Sequence, residues 1–264
     1  MEMKKLLSHN SLLPCFFLAI INLVSCQDGM VSDSVTNKAD DSTNQGYSIE
    51  FVMSKVWAHE VDDTNTAKIK QKLFDGLELN LNYSEYQNQI FIGHELYDTA
   101  KNVTLETWFS ALDNPQKNCY WLDCKNISPQ NAEAFLAIIK TVAQKHHVTD
   151  KIFIESRNPH VIKIVNNAHL KTILWVENFH YWQTYDTLSW YKTVKKDIEK
   201  TNPYAISCEY TMFPILTDSF PNMNVHFWNT PAAKNPESVK RTIDMCRTPN
   251  VKVVLVDFDA PIAY

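Results

Sequence analysis

Glycine is scarce in this chain: Gly29, Gly46, Gly76 and Gly93 are the only four in 264 residues. With none clustered, no glycine-rich loop is available to wrap a phosphate in backbone N–H groups, so any phosphate must be held by side chains or a metal ion. Basic runs are missing as well. The formal net charge of -5 leaves no cationic footprint of the kind nucleic-acid binding requires. Paired cysteine motifs are also absent: of six cysteines, Cys15 and Cys26 fall in or at the end of an N-terminal apolar run, and Cys119, Cys124, Cys208 and Cys246 show no metal-type spacing. Cys119 and Cys124 would share one short strand with opposite side-chain parity and cannot easily meet, so buried thiols are expected. The longest apolar run, residues 12–24, is interrupted by Pro14 and bounded by Ser11 and Ser25, too short for a spanning helix of about 20 apolar residues.

What is present starts with a targeting signal. Lys4 and Lys5 precede the apolar stretch, which reads as a secretion signal. Its end, Leu23-Val24-Ser25-Cys26, resembles the bacterial lipobox. That resemblance implies lipidation of Cys26 as the first mature residue and a location in the bacterial cell envelope, periplasmic or surface-facing, with the membrane touched through the lipid anchor only. An ordinary signal peptide that ends near a cysteine is the alternative. Residues 27–46 are polar, with almost nothing to bury, and read as a flexible tether. The expected organisation is a signal over 1–25, a tether over 26–46 and one domain over 47–264.

The domain alternates strand-like and helix-like stretches. Strands are expected at 51–58, 76–83, 119–125, 151–156, 172–177, 204–210, 223–228 and 251–258, with a short extra strand at 90–93 pairing with the end of the second. Helices are expected at 64–74, 129–146, 159–168, 188–200 and 236–246, several opening on Pro or a Ser, Thr or Asn cap. Eight such units indicate an α/β fold, a single (β/α)8 TIM barrel, with functional groups at the C-terminal ends of its strands. A doubly wound sheet is the alternative.

Alternate strand residues point into a barrel. In the phase of His59, the inward set contains Trp57, His59, Glu78, Asn80, Asp123, Lys125, Glu155, Trp175, Glu177, Glu209, His226, Trp228 and Asp257. A polar or charged side chain thus recurs near the inward end of nearly every strand. A purely structural interior avoids this, because unpaired buried charge is costly.

Trp57-Ala58-His59, Phe74-Asp75-Gly76-Leu77-Glu78-Leu79-Asn80, Ile92-Gly93-His94 and Trp121-Leu122-Asp123-Cys124-Lys125 together resemble the glycerophosphodiester phosphodiesterase superfamily, the barrels similar to phosphatidylinositol phospholipase C. The resemblance implies His59 and His94 as the proton-transfer pair, Glu78, Asn80 and Asp123 around one divalent ion (Ca or Mg), Lys125 against the phosphate and Trp228 lining the pocket. Glu155, inward on the next strand, is a further candidate for substrate binding. Two positions depart from the family pattern: His59-Glu60 stands where His-Arg is usual, and Glu78-Leu79-Asn80 where Glu-x-Asp is usual. An amide oxygen can coordinate calcium but brings no charge. The expected function is metal-assisted hydrolysis of a small glycerophosphodiester-like or lipid-headgroup substrate. The alternative is a catalytically degenerate barrel that serves as a ligand-binding or interaction lipoprotein. His94-Glu95 opens like the zinc-protease pattern His-Glu-x-x-His, but Asp98 closes it and Gly93 disfavours a helix, so that reading fails.

Overall fold

The computed structural model describes residues 49–95, 103–179, 186–230 and 234–260. Cys26, the signal and the tether lie outside the described residues. Within them no helix is long and apolar enough to cross a membrane.

The chain runs α1 (Ile49–Ser54), β1 (Val56–Ala58), α2 (Thr64–Lys70), β2 (Gly76–Ser84), β3 (Gln89–Ile92), α3 (Leu105–Ala111), β4 (Cys119–Cys124), α4 (Ala132–Lys145), β5 (Ile152–Ser156), α5 (Pro159–Asn167), β6 (Lys171–Trp175), α6 (Thr187–Thr201), β7 (Ala205–Glu209), α7 (Ile215–Ser219), β8 (Asn224–Asn229), α8 (Pro236–Arg247) and β9 (Val251–Val256). Eight of the strands are parallel neighbours, and β1 pairs with both β9 and β2, so the sheet closes. This is the expected (β/α)8 barrel. The ninth strand, β3, lies antiparallel on β2 from Leu81↔Ile92 to Ser84↔Gln89, the expected hairpin.

Two cores hold the barrel. Side chains on the outer faces of the strands, such as Leu77, Leu79 and Leu122, are fully buried against the helices together with Phe135, Ile139 and Val165. The interior is aromatic: Trp57, Trp121 and Phe153 pack with Ile173, Ala205, Val253 and Leu255. Trp57 meets Phe153 edge to face, with ring centroids 5.7 Å apart. Gly76 is required beside this layer, because a Cβ there would stand 2.0 Å from the Trp57 ring. His226 is sealed between Trp121 and Phe153, at 5.1 and 6.1 Å, with neither ring nitrogen hydrogen-bonded. Burial holds its pKa down at about 3, so it serves as a neutral aromatic.

Several expectations need correction. Residues 49–54 form α1, not the first half of a strand. Lys55 is buried and donates Nζ to the Cys246 and Thr248 carbonyls, at 2.7 and 3.4 Å, at the C-terminal end of α8. That tie fixes the foot of β1, and the apolar residues before it turn away as a helix; an apolar run alone does not separate the two conformations. Helices α3 and α7 were not expected. Glu177 does not join the inward set: β6 ends at Trp175, Glu177 is exposed, and Asn178 is the buried polar residue there. The four described cysteines are free thiols, three of them buried, as expected.

Candidate active site

A cleft of about 430 Å³ lies at the C-terminal ends of the strands, and His59, Glu78, Asn80, His94, Asp123, Lys125, Glu155 and Trp228 all line it. Every site residue expected from the folded part of the sequence therefore reaches one space. How each arrives there follows from the edge of β2.

Strand β1 is three residues long and accompanies β2 only at Ala58↔Leu77. The edge of β2 is then covered in turn by other groups: Val61 donates its N–H to the Glu78 carbonyl (2.8 Å), and Asp62 accepts the Asn80 backbone N–H (2.9 Å) and Nδ2 (3.0 Å). Gly93 N–H next donates to the Asn80 carbonyl (3.0 Å), and β3 takes over. Trp108 of α3 fastens the intervening loop by donating Nε1 to the Val61 carbonyl (2.9 Å). This relay satisfies backbone groups that a buried strand edge would otherwise leave unpaired. It also places His59 and His94 on the two segments that flank β2.

His59 sits where the barrel closes. Its N–H donates to the Val256 carbonyl of β9 (3.0 Å), and its Nδ1 stands 2.8 Å from Asp257 Oδ1. A carboxylate can only accept, so Nδ1 carries the proton and Nε2 faces Glu78, 3.9 Å from Oε2. Burial works to lower the His59 pKa, yet the Asp257 hydrogen bond and the charges of Glu78, Asp257 and Glu60 outweigh it and hold the value above normal. Glu60 adopts a left-handed backbone, φ 51, and its N–H donates to Glu78 Oε2 at 2.6 Å. A non-glycine residue in that region is strained, and here the strain aims an N–H at the buried carboxylate.

Oxygen donors run across β2, β4 and β5. Asn80 pairs in register with Asp123, and Asp123 with Glu155. Burial pushes Glu78 up to about 8, with His59 opposing and Asp123 and Asp62 adding to the rise. Burial and the Asp123 charge likewise raise Glu155 well above the usual carboxylate range, against bonds from Ser207 Oγ and Trp121 Nε1. Lys125 donates to Asp123 Oδ2 at 2.6 Å. Among the described residues no cluster of three His, Cys, Asp or Glu side chains is drawn together as a metal centre. The donor chemistry of Glu78, Asn80 and Asp123 nonetheless suits a hard divalent cation: Asn80 spends Nδ2 on Asp62, which leaves Oδ1, and the mutual repulsion of buried carboxylates is what a cation relieves.

The far wall is aromatic. Trp175 and Trp228 stack with centroids 6.1 Å apart and planes 10° apart, and the Arg157 guanidinium lies 3.7 Å from the Trp175 ring centre. Asn178 donates to Glu209 Oε2 (3.3 Å). His94 lies on the exposed rim, Nδ1 2.9 Å from Glu95 Oε1; Asp98 of the failed zinc pattern lies outside the described residues. Two contributors escaped sequence reading. Arg157 had a usable signal, since it follows Glu155 by two residues as Lys125 follows Asp123. Asp62 had none, because it acts from a loop through a backbone N–H.

The sequence matches no protein-family model and no curated protein. Its fold matches solved structures. A glycerophosphodiester phosphodiesterase from Parabacteroides distasonis aligns over 78% of this chain and 93% of its own, with TM-score 0.57 and 12% identity. A second glycerophosphoryl diester phosphodiesterase from that organism aligns over 79% and 84%, with TM-score 0.52 and 10% identity. A phosphodiesterase from Oleispira antarctica, solved with the product sn-glycerol-3-phosphate, aligns over 78% and 94%, with TM-score 0.55 and 11% identity. The barrel of this chain is thus similar in fold to those of the glycerophosphodiester phosphodiesterases.

Proposed function

We propose that the barrel hydrolyses small phosphodiesters, of the glycerophosphodiester or lipid-headgroup class, by proton transfer between His59 and His94. The observation that carries this reading is the commitment of His59 Nδ1 to Asp257 at 2.8 Å in a cleft shared with His94 and Lys125. Nε2 is then the atom left to take a proton from the attacking hydroxyl or water. His94, reaching the cleft from the other flank of β2, returns a proton to the leaving oxygen. A positioned acid or base is typically worth about 10²–10⁴ in rate. Lys125 neutralises a phosphate oxygen while Asp123 holds it in place. A divalent ion, Ca or Mg, at Glu78, Asn80 and Asp123 would supply Lewis-acid polarisation of the phosphoryl group when bound. A lipid anchor at Cys26 would bring this chemistry to an envelope surface.

The test is hydrolysis of glycerophosphocholine by the purified domain with calcium or magnesium, beside His59→Ala and His94→Ala. Turnover in the parent and loss in both variants supports the mechanism; turnover that survives either substitution overturns it. A second reading, a barrel that binds without turnover, draws on Glu60 and Asn80, which put an anion beside the phosphate site and a neutral amide in the ion site. Binding of sn-glycerol-3-phosphate with no hydrolysis of any diester would select it.

A further inference from the structure

A side chamber of about 370 Å³ opens off the main cleft past the ends of β4 and β5. Lys125 and Arg157 line both spaces. Each follows a residue of the register pair Asp123↔Glu155 by two positions, so the two cations leave neighbouring strands at the same height. Their surroundings differ. Lys125 is ion-paired with Asp123, which holds it toward the scissile phosphate. Arg157 has no carboxylate partner among the described residues; its contact is the Trp175 ring, 3.7 Å from the guanidinium carbon, and Trp228 supports that ring from within the cleft. A cation–π contact orients a guanidinium without neutralising it and leaves its in-plane N–H donors open to an oxyanion. The side chamber's own acids are already engaged, Asp123 by Lys125 and the buried Glu155 by Ser207 Oγ and Trp121 Nε1, while elsewhere the rim carries Glu60 beside β1 and Glu209 at the end of β7. An anionic group that enters the cleft away from the scissile phosphate is repelled there and drawn to Arg157.

We infer that the side chamber is a second anion subsite, in which Arg157 binds a carboxylate or phosphate at the end of one arm of the diester whose phosphorus sits at His59. This rests on the phosphodiesterase reading and narrows it to substrates with an acidic arm. Arg157 acts in recognition, and proton transfer stays with the histidines.

The experiment compares two probes of equal carbon count by calorimetry in excess magnesium: glycerol 3-phosphate, with one anionic group, and 3-phosphoglycerate, which adds a carboxylate. The parent is expected to bind 3-phosphoglycerate at least tenfold more tightly. Arg157→Gln, at an exposed side chain where folding is not at stake, should abolish that preference and leave glycerol 3-phosphate affinity unchanged. Equal affinities in the parent overturn the inference, and so does a preference that survives Arg157→Gln. A variant that weakens both probes equally also overturns it, because Arg157 would then serve the scissile phosphate. Failure of both probes to bind the parent would defeat the phosphodiesterase reading, and this inference with it.

Discussion

His59 and Asp257 are 198 positions apart in sequence and 2.8 Å apart in space. The residue after the first barrel strand supplies the imidazole, and the residue after the last supplies the carboxylate that selects its tautomer. Substituting Asp257→Asn keeps a polar partner but removes the charge that helps raise the His59 pKa. The His59 titration followed by NMR should move to lower pH. Turnover should fall on the order of tenfold to a hundredfold, part of the 10²–10⁴ that a positioned base contributes. An unchanged titration would remove Asp257 from the mechanism.

Gly76→Ala tests the interior packing. The added Cβ would stand 2.0 Å from Trp57 Cδ2, and a ring confined by Phe153 cannot retreat cheaply. Overpacking of this kind costs about 1–3 kcal/mol, to be read from the urea midpoint. Adding Trp57→Leu should recover part of the loss, a coupling that a double-mutant cycle isolates.

His226 predicts how stability depends on acid. Burial holds its folded pKa at about 3, down from the ordinary histidine value of 6.5, so between those limits the unfolded chain binds a proton that the native barrel refuses. Stability is fully present above pH 6.5 and is lost as pH falls toward 3, by at most roughly 5 kcal/mol from this residue. Glu78 and Glu155 shift the opposite way and favour the folded state in acid, so they do not account for that loss. His226→Phe, which fits an aromatic slot with no hydrogen bonds to lose, should flatten the acid limb of the denaturation curve. A limb that is unchanged would contradict this origin.

Calcium should separate the parent from Glu78→Ala. In the parent it should raise the melting temperature in proportion to ln(1 + [Ca]/Kd). Glu78→Ala should lose that response. The metal-free variant should be no less stable than the metal-free parent, because a carboxylate buried beside Asp123 and Asp62 is relieved. Equal calcium shifts in both proteins would place the ion elsewhere.

Much of the barrel was legible because parallel strands buried on both faces read as short apolar runs, and because the phase of His59 carried Glu78, Asn80, Asp123 and Lys125 inward together. Period-2 logic failed where strands ended early: Glu177 left the interior with the end of β6, and the residues before Lys55 went helical to suit a tertiary tie to Cys246 and Thr248. Helix α3 was missed although Thr104 caps it and Trp108 and Phe109 bury its inner face; seven residues give too little periodicity to register. Asp62 belongs to no pattern, since its role is to stand in for a missing strand.

The closure of the barrel sets when the site can exist. A chain emerging in order of synthesis presents His59 early, together with Glu78, His94 and Asp123, but the carboxylate that orients the imidazole arrives only with the residue that follows β9. Until the last strand docks between β8 and β1, the imidazole has neither its fixed tautomer nor its tie to Val256. An unfinished or clipped chain would hold nearly every side chain of the site but not the His59–Asp257 pair, so the proposed chemistry would wait until the fold is whole.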